Sequence, residues 1–500
     1  MSKPIKGARL QFLAIEKSIS TPIYRQIESQ IRNAILTGII KPGLLLPASR
    51  VLAQDLGVSR PTMVRVYEYL SFEGFLETRH GSGTFVSRTL PDYLPHKNAQ
   101  PENSKQKNAE ITKPLSKIGK KFNILAPSLN RSQFAAFLPN VPAFDRFPFA
   151  RWQKIRDNCL KADHTNLLGY EDSSGHMPLR RSIAEYLAVH RGDVCDPEQI
   201  LIVPGATAAF HLAVMLLSNP GDKVWLEDPG PDGVRAMLMA LGRNIINLDV
   251  EADGMDVQSA IQHNSNARLA FTMPSRQHPL GVTLSLTKRM KLLDWASKNR
   301  SWIIEDDYDS EFRYSGRPLG SMRSIDTTSS VIYVGTFSKS LFPSLRIGYL
   351  VLPENLIGTF RSALGTISRS ISILDQATLA RFIDEGYFTA HIRQMQNLYS
   401  TRRASFIEIA KKKLSGLLDI EAPDSGINVI GWLPKGTDDL QISKDLRDAG
   451  IHTFPLSLFR ARPSNQAGLV MGFAGTDRAE TVKKMALLAS VLEKTNTFKN

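Results

Sequence analysis

Val331-Ile-Tyr-Val-Gly-Thr-Phe-Ser-Lys-Ser-Leu-Phe-Pro-Ser-Leu-Arg-Ile-Gly-Tyr349 is the stretch on which the reading of this chain turns. Val331–Val334 is a short apolar run of the kind that forms a buried strand, and Gly335-Thr336-Phe337-Ser338-Lys339 follows at its end. A lysine at a strand end beside two hydroxyls is placed to form an imine with an aldehyde cofactor. Thr336, Ser338 and Arg346 suit that cofactor's phosphate, the arginine as a two-pronged clamp. Upstream, Ile303-Ile-Glu-Asp-Asp-Tyr308 closes another predicted strand with acids and a phenol. A carboxylate keeps a pyridine nitrogen protonated and makes the ring an electron sink, while a phenol near the ring oxygen tunes the imine. One lysine after a strand is ordinarily a surface lysine. Acid, phenol, lysine and arginine in this order are what a pyridoxal 5'-phosphate site needs.

Working outward, short apolar strands alternate with amphipathic helices from residue ~122 onward, the α/β signature. Lys223–Glu227, Leu269–Met273 and Trp302–Glu305 are further predicted strands. Ile200 to Leu217 carries no charge and approaches membrane-spanning length, but Pro204-Gly205 divides it into a strand and a helix from Thr207, so no membrane span is expected. Residues ~89–121 hold Pro91, Pro95, Pro101 and Pro114 among many Lys, Asn and Gln, a composition that buries too little to offset ordering entropy and reads as a flexible linker.

Residues ~18–88 are dense in helix signals. Tyr24, Ile27, Ile31 and Ile35 form one apolar stripe, ended by Gly38. Ser49 is the expected N-cap of a second helix carrying Leu52, Ala53 and Leu56, and Ser59 that of a third. Met63, Val66, Tyr67 and Leu70 turn the third helix inward, leaving Thr62, Arg65 and Tyr69 on another face with Arg60 at its start. Two helices across a tight turn, the second basic on its outer face, are what major-groove reading requires. Phe75–Arg79 and Thr84–Val86 flank His80-Gly81-Ser82-Gly83 as a predicted wing.

The motifs Pro22-Ile-Tyr-Arg-Gln-Ile27, Gly38-Ile-Ile-Lys-Pro-Gly43, Leu46-Pro-Ala-Ser-Arg50, Leu56-Gly-Val-Ser-Arg60 and Gly81-Ser-Gly-Thr-Phe-Val86 resemble the GntR-type winged helix. That similarity implies DNA contacts at Arg50, Ser59, Arg60, Thr62, Arg65, His80 and Gly81. The remainder resembles fold-type-I aminotransferases, nearest to the MocR-type regulators that join such a domain to a GntR winged helix. The resemblance spans residues ~122–475. It rests on Gly169-Tyr-Glu-Asp172 with Gly175, Leu226-Glu-Asp-Pro-Gly230, Pro274-Ser275 with Gln277, Pro279 and Gly281, and Ile304-Glu-Asp-Asp-Tyr-Asp-Ser-Glu-Phe312, besides the opening stretch. It implies Lys339 as the Schiff-base lysine, Asp306 as the pyridine partner with Asp307 a second candidate, and Tyr308 at the ring hydroxyl. Arg346, Thr336 and Ser338 would meet the phosphate with backbone donors at Ala206-Thr207, and Tyr170 would come from the partner of a homodimer.

The expected architecture is therefore multidomain. A small α+β winged helix-turn-helix at 18–88 and a linker at 89–121 precede an aminotransferase-like domain at 122–492. That domain has a mixed, mostly parallel sheet with flanking helices over about 165–375 and a C-terminal α+β subdomain over about 376–492 that takes in the domain's N-terminal segment. Some positions depart from the resemblance. Pro231 stands where relatives place a ring-stacking aromatic, Thr207 where they favour Gln, and Arg276 where they favour His. No arginine for a substrate carboxylate occurs near Gly468-Leu-Val-Met-Gly-Phe473; Arg460 and Arg462 are near in sequence but not placed by it.

Composition narrows the classes. The 500 residues exceed what one core usually serves. Hydrophobic residues at 42% and charged ones at 22% are ordinary for a globular chain, but a net charge of +14 favours an anionic partner. Cys159 and Cys195 build no disulfide framework or zinc spacing, and Met-Ser-Lys-Pro-Ile-Lys-Gly7 opens no secretory signal. No metal is expected, and a cytoplasmic location is. Three functions follow from the resemblance. The first is a double-stranded-DNA-binding regulator that senses a small amine, an amino acid or pyridoxal 5'-phosphate. The second is an active aminotransferase with an attached DNA-binding domain. The third is a regulator whose large domain has lost the cofactor and serves in dimerisation.

Overall fold

Apolar side chains at helical spacing build the N-terminal core. In the computed structural model, residues 10, 12–16, 18–79, 81–89, 114–120, 135–167, 169, 172–316, 319–367 and 371–497 are described, and the chain divides into two units, 1–113 and 114–500. Expectations for His80, Tyr170 and most of the 89–121 linker lie outside the described residues.

In the first unit, α1 (Ile23–Leu36), α2 (Ser49–Asp55) and α3 (Arg60–Phe72) precede an antiparallel hairpin of β1 (Leu76–Arg79) and β2 (Gly83–Val86). Ile27, Ile31 and Ile35 of α1 meet Leu52 and Ala53 of α2 and Met63, Val66, Tyr67 and Leu70 of α3 in one core. The Tyr67 hydroxyl donates to the Pro47 carbonyl at 2.8 Å, fixing α3 to the turn before α2. Glu28 is buried between Arg25 and Arg32, and Arg32 also reaches Glu73 just past α3. One expectation is corrected. Ala48 occupies the N-cap of α2 and Ser49 is already its first helical residue, so the Ser49 hydroxyl makes no cap bond. The backbone of Ala48 (φ −56, ψ 140) starts the helix at Ser49, one residue earlier than a cap at Ser49 would. Ser59 does cap α3, accepting from the Thr62 amide at 3.3 Å.

The second unit is a layered α/β structure. Its large sheet contains β3 (Ile200–Val203), β4 (Lys223–Asp228), β5 (Asn244–Glu251), β6 (Gly254–Met255), β7 (Leu269–Thr272), β8 (Trp302–Asp307), β9 (Val331–Thr336) and β10 (Gly348–Val351). They are ordered β3-β10-β9-β8-β7-β4-β5-β6. The pairs β4·β5, β4·β7, β7·β8 and β8·β9 are parallel, whereas β10 runs antiparallel to both β3 and β9 and β6 to β5. Strands with both faces covered read as unbroken apolar runs, as Ile200–Val203 and Leu269–Thr272 do.

Helices α4 (Phe149–Leu167), α5 (Met177–Arg191), α6 (Ala206–Leu217), α7 (Asp232–Ala240), α8 (Val257–Asn264), α9 (Leu286–Asn299) and α10 (Glu354–Ile367) belong to this part of the unit. Phe210, Val214 and Leu217 of α6 pack with Phe271, Ile304 and Val334 of the sheet. The chain then passes through α11 (Ile373–Asp384) and α12 (Tyr387–Lys413) to an antiparallel sheet. Its strands are β11 (Asp419–Ile420), β12 (Asn428–Trp432), β13 (Phe454–Pro455) and β14 (Gly468–Gly472), joined by α13 (Asp439–Asp448) and closed by α14 (Arg478–Thr497).

Candidate cofactor site and nucleic-acid interface

Register brings the predicted groups of the second unit to one end of the large sheet. Gly348 of β10 pairs with Thr336 on one side and Val203 on the other, and Asp306 of β8 pairs with Val334 of β9. The ends of β3, β10, β9 and β8 thus lie side by side. Between β3 and α6, Gly205 (φ +80) caps a helix whose first amides, at Ala206 and Thr207, have no partner within the helix. Gly348 allows this turn to sit close: a Cβ there would stand 2.8 Å from the Gly205 carbonyl carbon and 3.0 Å from the Ala206 nitrogen. The guanidinium of Arg346 lies against Gly205, and its Nη2 donates to the Pro204 carbonyl at 3.2 Å. The Thr336 hydroxyl donates to Ser338 Oγ at 3.1 Å and accepts from the Ser338 amide at 3.2 Å. The first amides of α6, the Arg346 guanidinium and the Thr336 and Ser338 hydroxyls thus lie at one end of the sheet, groups of the kind that receive a phosphate.

The two candidate acids differ in their charged neighbours. Consecutive strand residues face opposite sides of a sheet. Asp307 Oδ2 forms an ion pair with Arg191, whose Nε lies 2.8 Å away, and accepts from the Tyr333 hydroxyl at 2.5 Å and the Ser310 hydroxyl at 3.0 Å. Asp306, 9% exposed, buries an Oδ1 that has no hydrogen-bond partner among the described residues. Burial pushes its pKa well above the usual carboxylate range, Asp307 and Asp309 push the same way, and Lys339 opposes them. The cation acting on Asp306 is therefore Lys339, and the one paired with Asp307 is Arg191. A buried acid without an arginine, beside the candidate lysine, fits a protonated ring nitrogen.

Lys339 Nζ donates to the Asn140 carbonyl at 3.1 Å. Asn140 (φ +66) is locked to Asn428 by two bonds, its amide to Asn428 Oδ1 at 2.7 Å and Asn428 Nδ2 to its own Oδ1 at 2.9 Å. The Tyr308 hydroxyl accepts from Arg276 Nη1 at 2.9 Å, and the His278 ring stands edge-on to the Tyr308 ring at 6.0 Å. Burial pushes the Tyr308 phenol far up and Asp309 adds to this, while Arg276 opposes both. Sequence reasoning missed Asn140, Asn428 and His278. The available signal for Asn140 was an asparagine between Pro139 and Pro142, a residue that tolerates positive φ where the chain turns.

The departures also find places. Pro231 precedes the first turn of α7. Arg462 is held by Asp228, with Nε 3.1 Å from Oδ2, and by Asp249, and Arg460 reaches Gln466 at 3.5 Å. Strand β14 is apolar throughout.

In the first unit, Arg50 lies on the first turn of α2 and Arg60 opens α3, both exposed, as are Ser59 and Gly81. Ser59 Oγ and Thr62 Oγ1 share a hydrogen bond of 2.7 Å. The Arg65 guanidinium stacks 4.2 Å from the Tyr24 ring centre and 5.5 Å from that of Tyr69. Arg79 in the wing lies over Phe85. Among the described residues no helix is long and apolar enough to cross a membrane, and no group of His, Cys, Asp and Glu could hold a metal ion.

Comparison with known proteins agrees with both halves. Residues 139–482 match the family model of aminotransferase class I and II, and residues 23–86 match that of the bacterial regulatory proteins of the gntR family. The chain is 36% identical to the "Probable rhizopine catabolism regulatory protein MocR" of Rhizobium meliloti over 93% of its length and 92% of that protein's. It is 29% identical to the "HTH-type pyridoxine biosynthesis transcriptional regulator PdxR" of Corynebacterium glutamicum over 93% and 95%. Among solved structures, alpha-aminoadipate aminotransferase LysN of Thermus thermophilus aligns with TM-score 0.70 at 22% identity, over 76% of this chain and 98% of that one, a likeness that establishes the fold. With a gntR winged helix ahead of an aminotransferase fold, and relatives matched along nearly their whole length, the chain belongs to the MocR-type GntR transcription regulators.

Proposed function

We propose that this chain is a DNA-binding transcription regulator whose C-terminal domain holds pyridoxal 5'-phosphate at Lys339 and senses a small amine, an amino acid or the cofactor itself. The observation that carries the reading is Asp306, a buried carboxylate with an unpartnered oxygen and Lys339 as its neighbouring cation, at the same sheet end as the open amides of α6. Lys339 would hold the aldehyde carbon, Asp306 the ring nitrogen's proton and Tyr308 the ring oxygen. Arg346, Thr336, Ser338 and the amides of Ala206 and Thr207 would hold the phosphate. When bound, the cofactor supplies an electron sink for amine chemistry. Tyr170 of the partner subunit would complete the site in a homodimer. Residues 18–88 would read DNA in the cytoplasm through Arg50, Ser59, Arg60, Thr62, Arg65, His80 and Gly81, with 89–121 as the connector to 122–492. A ligand acts on such a protein by binding one arrangement better than another.

The name of the Corynebacterium relative, a pyridoxine biosynthesis regulator, supports the cofactor as a ligand. Regulation is favoured over transaminase turnover because Arg462 is held by Asp228 and Asp249 and β14 offers no arginine. Loss of the cofactor is disfavoured because Pro231 and Arg276 remove none of the anchoring groups. The test is the visible absorption of the purified protein with pyridoxal 5'-phosphate. The wild type is expected to show the band of a lysine-bound cofactor, and Lys339→Ala to lack it; a colourless wild type sinks the reading.

A further inference from the structure

We infer that Arg276 is a positioning residue for Tyr308: it holds the phenol oxygen as an acceptor and so leaves the phenol's own proton for donation to the cofactor carried at Lys339. The inference rests on the cofactor reading above. Arg276 is 4% exposed and every guanidinium nitrogen is engaged. Nε donates to the Ser425 carbonyl at 2.9 Å and Nη2 to the Asn428 carbonyl at 3.1 Å. Nη1 donates to Tyr308 Oη at 2.9 Å and lies 3.4 Å from Asp309 Oδ2. The loop before β12 is shaped to it: Gly426 has φ +75, and a Cβ there would collide with the guanidinium and with Asp309. The arginine that departs from the resemblance is thus built into this chain on three sides.

On the fourth side it meets a phenol. Arg has donors and no acceptor, so the Tyr308 oxygen accepts in this contact and its O–H is directed elsewhere. A cation donating to that oxygen also makes the O–H a stronger donor. Burial opposes the charge on Arg276, but Tyr308 and Asp309 outweigh it and hold its pKa above the ordinary value. The other titratable groups acting on this pair are Asp306 on Tyr308 and Tyr314 on Arg276. His278 packs edge-on to the phenol, and Lys339 acts on Asp306 and Asp309. By donating to the ring oxygen, Tyr308 would lower the pH at which the Lys339 nitrogen gives up its proton when the cofactor is bound there. Removing Arg276 reverses this.

The experiment follows the absorption of the cofactor-loaded protein against pH. The colour-change midpoint is expected to rise by about one pH unit in Arg276→Gln, to rise in Tyr308→Phe, and to move less when Arg276→Gln is added to Tyr308→Phe. Arg276→Lys, which keeps the charge and loses the fork, should lie between wild type and Arg276→Gln. An unchanged midpoint in Arg276→Gln, or an equal rise with and without Tyr308→Phe, overturns the inference. If Arg276→Gln does not fold, Arg276→Lys decides by the same comparison in the two backgrounds. Absence of a cofactor band in wild type overturns the cofactor reading and this inference together; a band with an unmoved midpoint overturns this inference alone.

Discussion

Asp306 and Asp307 are adjacent on β8, yet Arg191 Nε stands 2.8 Å from Asp307 Oδ2 while the cation acting on Asp306 is Lys339. Alternation along the strand places one acid toward the candidate site and the other toward α5, which carries Arg191. Burial of both acids would be costly without these neighbours, because an isolated buried charge loses its hydration. Two adjacent carboxylates of the same type thus meet different cations.

Substitution separates the two acids. Asp306→Asn should weaken cofactor binding and change its absorption while leaving the melting temperature of the cofactor-free protein nearly unaltered. Asp307→Asn should lower the stability of the cofactor-free protein by about 3 kcal/mol, because Arg191 is left buried beside a neutral group. Cofactor loss in Asp307→Asn with unchanged melting would reverse the assignment.

Phosphate recognition can be read from two ligands. Arg346→Ala should reduce the preference for pyridoxal 5'-phosphate over pyridoxal by roughly ten- to a hundredfold, the value of a charge-assisted bond. Gly348→Ala should do likewise, since its Cβ would displace the Gly205–Ala206 turn, and should cost about 1–3 kcal/mol in stability. Equal loss of both ligands would place the phosphate elsewhere.

The DNA-facing helix predicts a graded pattern. Arg60→Ala should lower affinity and relax base preference at one position by about 1–3 kcal/mol, whereas uniform weakening on all sequences would make Arg60 a phosphate contact. Tyr24→Leu should weaken binding along with Arg65→Ala, because the Tyr24 ring supports the Arg65 guanidinium. Binding by all variants should fall steeply with added salt.

His391 supplies a pH dependence. Burial drives its imidazole down to about 4, against a smaller opposing effect of the Ser340 backbone. The unfolded chain binds this proton near pH 6.5 and the folded one only near 4, so unfolding takes up a proton in between. Stability from this group is present above about pH 6.5 and is lost as pH falls toward 4, on the order of 3 kcal/mol in all. Melting curves of wild type and His391→Gln should converge with acid; parallel curves would show that His391 is not the group responsible.

Much of this was legible from residue order. Periodicity marked Val331–Val334 and Ile200–Val203 as strands and the inward faces of α1 and α3 as core, because a side-chain repeat of two or 3.6 is fixed by backbone geometry alone. Ser49 was misplaced by one residue because capping depends on the backbone angle of Ala48, which sequence does not carry.

By itself the sequence determined the two-part architecture and the order of acid, phenol, lysine and arginine, since local chemistry and apolar repeat are written in consecutive residues. Tertiary structure alone decided what stands beside each group: Arg191 beside Asp307, Asn140 beneath Lys339, and Arg276 between Tyr308 and the loop before β12. Those partners lie 32 to 199 positions apart along the chain. Only tertiary folding, which sets the end of α5 and the loop before β12 beside the ends of β8 and β9, brings their atoms within reach.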